Sequence, residues 1–170
     1  MRFFLPNISP NPNLKMELKE NSKAPDFTLP SSTGEPVALK DVVGKQNVVL
    51  YFYPKDMTPG CTQEACDFRD LSAQFKKMKT AVIGISADSP TSHQKFIGKW
   101  KLPFLLLSDE SKEMLKKYGV WKQKSLYGHN FMGIERTTMV IDEKGKIRKI
   151  FPKVKVKDHA KEVLNILKDL

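Results

Sequence analysis

The order of elements along these 170 residues predicts an α/β fold, with helices packed on a mixed central β-sheet. Three observations carry this. The apolar runs at 47–52 and 81–86 read as buried strands separated by a helical pattern. A second helical stretch then leads to another short apolar run at 104–108. Late in the chain, segments 137–142 and 146–151 flank Glu143-Lys144-Gly145, the pattern of a strand hairpin.

Taken in order, residues 27–30 and 36–39 flank the turn Ser31-Ser32-Thr33-Gly34 and predict a small N-terminal β-hairpin. The strand at 47–52 follows. Ala65, Phe68, Leu71, Phe75 and Met78 recur at helical spacing, so residues 62–79 are expected to be one helix with these side chains in the core. After the strand at 81–86, Ser89 caps and Pro90 opens a helix that runs to about Trp100. A further helix is expected at 111–118, closed by Gly119. The stretch Trp121-Lys122-Gln123-Lys124-Ser125-Leu126-Tyr127-Gly128 reads as a loop bordering either a site or a partner surface. A terminal amphipathic helix spans 156–170, with Ala160, Val163, Leu164 and Leu167 on one face.

Composition excludes several classes. A hydrophobic content of 40% and a charged content of 28% fit one globular domain, expected at 21–170. No run approaches the ~18 apolar residues of a membrane helix. The net charge of +10 is spread over lysines rather than blocked, and no base-reading motif accompanies it, so a nucleic-acid partner is not expected. Two cysteines do not make a disulfide scaffold, and His93, His129 and His159 are too scattered for a metal site. Residues 1–15 contain three prolines and three asparagines, and a flexible extension is expected over 1–20. It lacks the apolar region of about 7–15 residues of a signal peptide. The expected address is cytoplasmic, while the lysines and the extension leave room for an organellar or nuclear one.

The two cysteines carry the chemistry. Cys61 lies where a strand ends, a Pro/Gly loop turns and a helix begins. Helix N-terminal amides and the helix dipole stabilise a thiolate there. Pro54 and Pro59 stiffen the loop, and Gly60 lets backbone approach closely. The Thr58 hydroxyl can donate to one group and accept from another, and so orient a hydroxyl-bearing substrate. Three thiolate chemistries fit: acyl transfer, disulfide exchange and oxidation by peroxide. Acyl transfer needs a base, and no histidine is near in sequence. Disulfide exchange of the thioredoxin kind uses two cysteines separated by two residues, a pair absent here. Peroxide reduction needs a second thiol to resolve a sulfenic acid, which Cys66 can supply. In an unbroken helix, positions five apart are separated by roughly 8–9 Å, beyond the ~4.4–6.8 Å between α-carbons of a disulfide. A Cys61–Cys66 bond therefore requires the first helical turn to unwind.

Several motifs in register now resemble one family. They are Ala24-Pro25-Asp26-Phe27-Thr28-Leu29-Pro30, Tyr51-Phe52-Tyr53-Pro54, Thr58-Pro59-Gly60-Cys61-Thr62 and Val82-Ile83-Gly84-Ile85-Ser86-Ala87-Asp88-Ser89-Pro90. Leu102-Pro103-Phe104 through Ser108-Asp109 follows in the same order. Over about residues 22–168 the chain is similar to the peroxiredoxins, and more closely to the peroxiredoxin Q group, also called bacterioferritin comigratory protein. The resemblance implies a thioredoxin-like fold and reduction of hydrogen peroxide and alkyl hydroperoxides without any cofactor or metal. By it, Cys61 is the peroxidatic cysteine and Cys66 the resolving one. Thr58 and Arg136 position peroxide, while Pro54 and Gly60 support the loop. It also implies recycling by thioredoxin or a similar dithiol reductant, and a monomer or weak homodimer. Alternatives that stay open are a disulfide oxidoreductase without peroxidase activity and a basic nucleic-acid-associated binding protein. The remaining polar residues have plain expected roles: Glu64 complements the helix dipole, His93 and His129 lie on the surface, and Arg69 is either a surface charge or an electrostatic support.

Overall fold

The computed structural model describes residues 18–170, and residues 1–17 of the extension expected over 1–20 lie outside the described residues. Two strands open the domain, β1 (Thr28–Pro30) and β2 (Pro36–Ala38), paired antiparallel as the expected hairpin. There follow α1 (Leu39–Val42), β3 (Asn47–Phe52), α2 (Pro59–Asp70), α3 (Ser72–Lys77) and β4 (Thr80–Ser86). Next come α4 (Pro90–Trp100), β5 (Leu105–Ser108), α5 (Glu113–Lys117), β6 (Trp121–Leu126) and β7 (His129–Ile134). The chain closes with β8 (Thr137–Ile141), β9 (Ile147–Phe151) and α6 (His159–Lys168).

The central sheet has the order β5-β4-β3-β8-β9. Strands β3, β4 and β5 run parallel, while β8 is antiparallel to both β3 and β9. This is the mixed sheet expected of a thioredoxin-like fold. The middle strand β3 is apolar on both faces because both are covered. Val48, Leu50 and Phe52 point into a core with Phe27, Leu29 and Leu115. Val49, Tyr51 and Tyr53 point the other way, against Ala65 and Phe68 of α2, Phe75 of α3 and Val163 of α6. The period-2 alternation of side chains thus divides one strand between two cores. Tyr51 stacks on Phe68 with ring centroids 4.8 Å apart. Gly84 makes room for it, since a Cβ there would lie 2.8 Å from the Tyr51 ring and 2.7 Å from Leu106.

Three local readings are corrected. The helix expected at 62–79 begins at Pro59 and breaks at Leu71, where φ is −101° and ψ is 6°. No glycine or proline marks that break, and Phe75 beyond it still packs on Phe68. The stretch at 121–128 is not a loop but the first arm of the β6–β7 hairpin. Its two-residue turn places Tyr127 at φ +50° and Gly128 at φ +77°, as a type I′ turn requires. Tyrosine is not a residue that advertises such a turn. Leu18 packs against the first core and Glu20 accepts from the Ile150 N–H, so the ordered packing reaches back to the start of the described residues.

Candidate active site

Strand β3 delivers the chain into the loop that carries Pro54 and Thr58, and α2 starts immediately after it. Thr58 is the N-cap of α2 in extended backbone, Pro59 takes the first helical position and Cys61 the third. Proline there loses nothing, because the first amides of a helix lack partners anyway. The Thr58 side chain does not cap the helix. Its hydroxyl donates to the Lys55 carbonyl at 2.9 Å, which leaves the oxygen able to accept. Pro54 is half-buried in the same loop. Met57 precedes Thr58 at φ +67°, an uncommon conformation for a residue with a side chain.

The Cys61 side chain is buried, with 1% exposure, among the residues of the second core. Arg136, in the short link between β7 and β8, reaches it across 75 positions. Its Nη2 donates to Cys61 Sγ at 3.3 Å, and its Nη1 donates to Glu64 Oε1 at 2.8 Å. Gly60 permits this approach: a Cβ there would lie 3.3 Å from Arg136 Nη2. A guanidinium suits the position because it stays charged and offers several donors in a fixed fork. Burial opposes the Arg136 charge, yet the Glu64 carboxylate and the Cys61 sulfur together hold it above its usual value.

Glu64 corrects the sequence reading. It does not complement the dipole from the first turn, because α2 begins at Pro59 and places it further in, 2% exposed and paired with Arg136. Burial pushes its carboxyl up from 4.5 to about 7, against the pull of Arg136. A signal for this was present in the sequence: Cys61, Glu64, Ala65 and Phe68 follow the i, i+3, i+4, i+7 spacing of a buried helix face.

Cys66 lies five residues further along α2 and is half-buried; both cysteines are free thiols. Burial raises its thiol above the usual value and the nearby Arg69 opposes this. Arg69 itself donates to Asp70 and to the Trp100 carbonyl at 2.8 Å, tying α2 to the end of α4. Helix α2 is unbroken between the two cysteines, so the structure does not bring them together for a disulfide.

His93 is also corrected: it is fully buried, not on the surface, while His129 is exposed as expected. His93 Nε2 donates to the Leu107 carbonyl at 3.0 Å, and Nδ1 lies 2.7 Å from Asp56 Oδ2. Asp56 accepts further from Tyr53 Oη at 2.6 Å and Ser92 Oγ at 2.7 Å, and its own N–H donates to Asp88. Asp56, Asp88 and His93 come within 4.8 Å of one another, the spacing of a cation site. Their donor and acceptor atoms are committed to each other and to neighbouring hydroxyls, which fits an anchor for the loop at 53–58 better than a metal centre.

A model of the AhpC/TSA family matches residues 21–150. Peroxiredoxin Bcp of Bacillus subtilis is 50% identical over 155 residues, which cover 91% of this chain and 98% of that protein. Among solved structures, a mutant of Xylella fastidiosa PrxQ superposes with a TM-score of 0.85 at 36% identity, covering 90% of this chain and 97% of that one. The bacterioferritin comigratory protein of Xanthomonas campestris superposes with a TM-score of 0.80 at 38% identity, covering 84% and 90%. Matched over this much of its length, in sequence and in fold, the chain belongs to the AhpC/TSA family, in its peroxiredoxin Bcp/Q group, and is a thiol peroxidase.

Proposed function

We propose that Cys61 is the peroxidatic thiol, that Cys66 resolves it, and that a dithiol protein of the thioredoxin kind restores both. The observation that carries this reading is the Arg136 guanidinium donating to the Cys61 sulfur in the first turn of α2. A cation and a helix N-terminus both favour sulfur as the anion, and only the thiolate attacks peroxide. No helix among the described residues is long and apolar enough to cross a membrane.

In the first step the Cys61 thiolate attacks the terminal oxygen of a hydroperoxide. The S–O bond forms as the O–O bond breaks, sulfur is oxidised to sulfenic acid, and the leaving oxygen takes a proton to depart as water or an alcohol. Arg136 stabilises charge on sulfur and on the breaking O–O bond, and the Thr58 oxygen accepts from the peroxide O–H. In the second step the Cys66 thiol attacks the sulfenic sulfur, forming the Cys61–Cys66 disulfide and releasing water. Two electrons from an external dithiol then return both thiols, leaving that dithiol oxidised. The solved Xanthomonas campestris relative is described by its alkyl peroxide reduction activity, and both alkyl hydroperoxides and hydrogen peroxide are proposed as substrates here.

The test is stopped-flow oxidation of the reduced protein by stoichiometric hydrogen peroxide, followed by mass analysis. Fast loss of two thiols with a Cys61–Cys66 bond in the product is the expected result. Oxidation no faster than that of a free thiol would overturn the assignment of Cys61.

A further inference from the structure

Arg136 is one cation serving two acids, with Glu64 Oε1 at 2.8 Å and Cys61 Sγ at 3.3 Å. Above about pH 7, where Glu64 as well as the thiol is ionised, the trio of one positive and two negative groups carries a net charge of −1. An unbalanced buried charge is costly, so an anionic sulfur at this position calls for further positive charge.

Lys124 on β6 is placed to supply it. In the β6–β7 register Lys124 pairs with Phe131, so Gly133, two residues on, shares its face of the hairpin. A Cβ on Gly133 would meet Lys124 Cδ at 3.3 Å and Cε at 3.6 Å. The Lys124 stem therefore lies across the bare backbone of Gly133, along β7 toward Glu135 and Arg136. At the end of that path its ammonium feels the charges of Arg136, Cys61 and Glu135. Partial burial, and after it the repulsion from Arg136, pull Lys124 below its usual value, while Cys61 and Glu135 oppose the fall. Other titratable groups whose charges couple to this cluster are Tyr51 from β3, Asp56 from the loop after it, Glu64 and Asp67 from α2, and His159 from α6. Glu135 is already paired with Lys122 at 2.8 Å.

We propose that Lys124 is a second cation of the active site, laid over Gly133 so that its charge supports the Cys61 anion that Arg136 alone, shared with Glu64, leaves unbalanced. Lys124 is a positioning residue acting through its charge, and Gly133 is the floor that lets it reach. This rests on Cys61 being the thiol that meets peroxide.

The experiment measures iodoacetamide alkylation of Cys61 across pH, and oxidation by hydrogen peroxide, in a Cys66→Ser background. The variants compared are Lys124→Gln, Lys124→Arg and Gly133→Val. In Lys124→Gln the alkylation profile is expected to move up by about 0.5–1 pH unit. Oxidation below the midpoint should then slow about three- to tenfold. Lys124→Arg should keep the unsubstituted profile, and Gly133→Val should behave as Lys124→Gln. A Lys124→Gln profile superimposed on the unsubstituted one overturns the proposal, and an early midpoint in both would leave Cys61 as the reactive thiol. A shift that Lys124→Arg does not reverse also overturns it, because charge is then not the cause. If Cys61 in the unsubstituted background alkylates and oxidises like a free thiol, both this inference and the reading beneath it fall.

Discussion

Arg136 Nη2 lies 3.3 Å from the sulfur of Cys61, and its other terminal nitrogen is held by Glu64. The guanidinium is thus pinned by a buried carboxylate before any peroxide arrives, so its reorganisation cost is met during folding. Pre-positioned donors of this kind contribute strongly to charge stabilisation. Replacing Arg136 by Gln is expected to slow oxidation by hydrogen peroxide by about 10²–10³-fold. Stopped-flow rates within a fewfold of the original would show that the guanidinium is dispensable. Arg136→Lys should fall well short of rescue, since an ammonium cannot present the same fork to two partners.

Helix α2 runs without interruption from Pro59 to Asp70 and contains both cysteines. Its geometry keeps them roughly 8–9 Å apart, too far for a disulfide. Oxidation to the Cys61–Cys66 disulfide should therefore unwind the start of α2 and raise amide exchange over residues 58–70. Equal protection of that segment in the reduced and oxidised proteins would contradict the proposed resolving step.

Burial raises the Glu64 carboxyl to about 7 in the folded protein, from 4.5. Between those values the folded state holds a proton that the unfolded chain has released. Stability contributed by this group is therefore complete below 4.5 and is lost as pH rises through about 7. From roughly pH 4 to roughly pH 8 the loss is on the order of 3 kcal/mol. Denaturant melts of the original and of Glu64→Gln across this window should diverge by that amount, with the variant lacking the decline. Parallel pH dependences would mean that Glu64 keeps its ordinary acidity in the fold.

Asp56 accepts hydrogen bonds from Tyr53 and Ser92 and pairs with His93, all within 2.7 Å. Removing it leaves buried polar partners without a counterpart. Asp56→Ala should cost about 3–5 kcal/mol by chemical denaturation. Because the network anchors the loop bearing Thr58, the variant should also show faster amide exchange at 53–58. A stability change under 1 kcal/mol would show that the cluster does not hold the loop.

The elements most readable from sequence are those whose signal is local. Ser89 accepts from the Ser92 N–H with Pro90 opening the helix, a start written within four consecutive residues. The β8–β9 hairpin follows from its flanking apolar runs and from Gly145 at φ +82°. The β6–β7 hairpin escaped because Tyr127 occupies a left-handed position that Asn or Gly would have announced. The break at Leu71 carries no breaker residue at all. Glu64 and His93 both fall at spacings that share a helix face with Phe68 and Phe96, yet the sequence reading makes the first a dipole complement and the second a surface residue. Polar residues go inside only when a partner meets them there, and those partners, Arg136 and Asp56, are 72 and 37 positions away.

The sequence by itself determined the α/β order, the apolar middle strand and a cysteine in the first turn of a helix with a second thiol five residues on. Periodicity, caps and turn chemistry act within a few residues, so they survive in a one-dimensional reading. Only the tertiary structure decided that Arg136 is divided between Cys61 and Glu64, that Lys124 crosses Gly133, and that His93 is interior. Those relationships depend on which strands become neighbours in the sheet, and burial then sets the strength of each charge interaction.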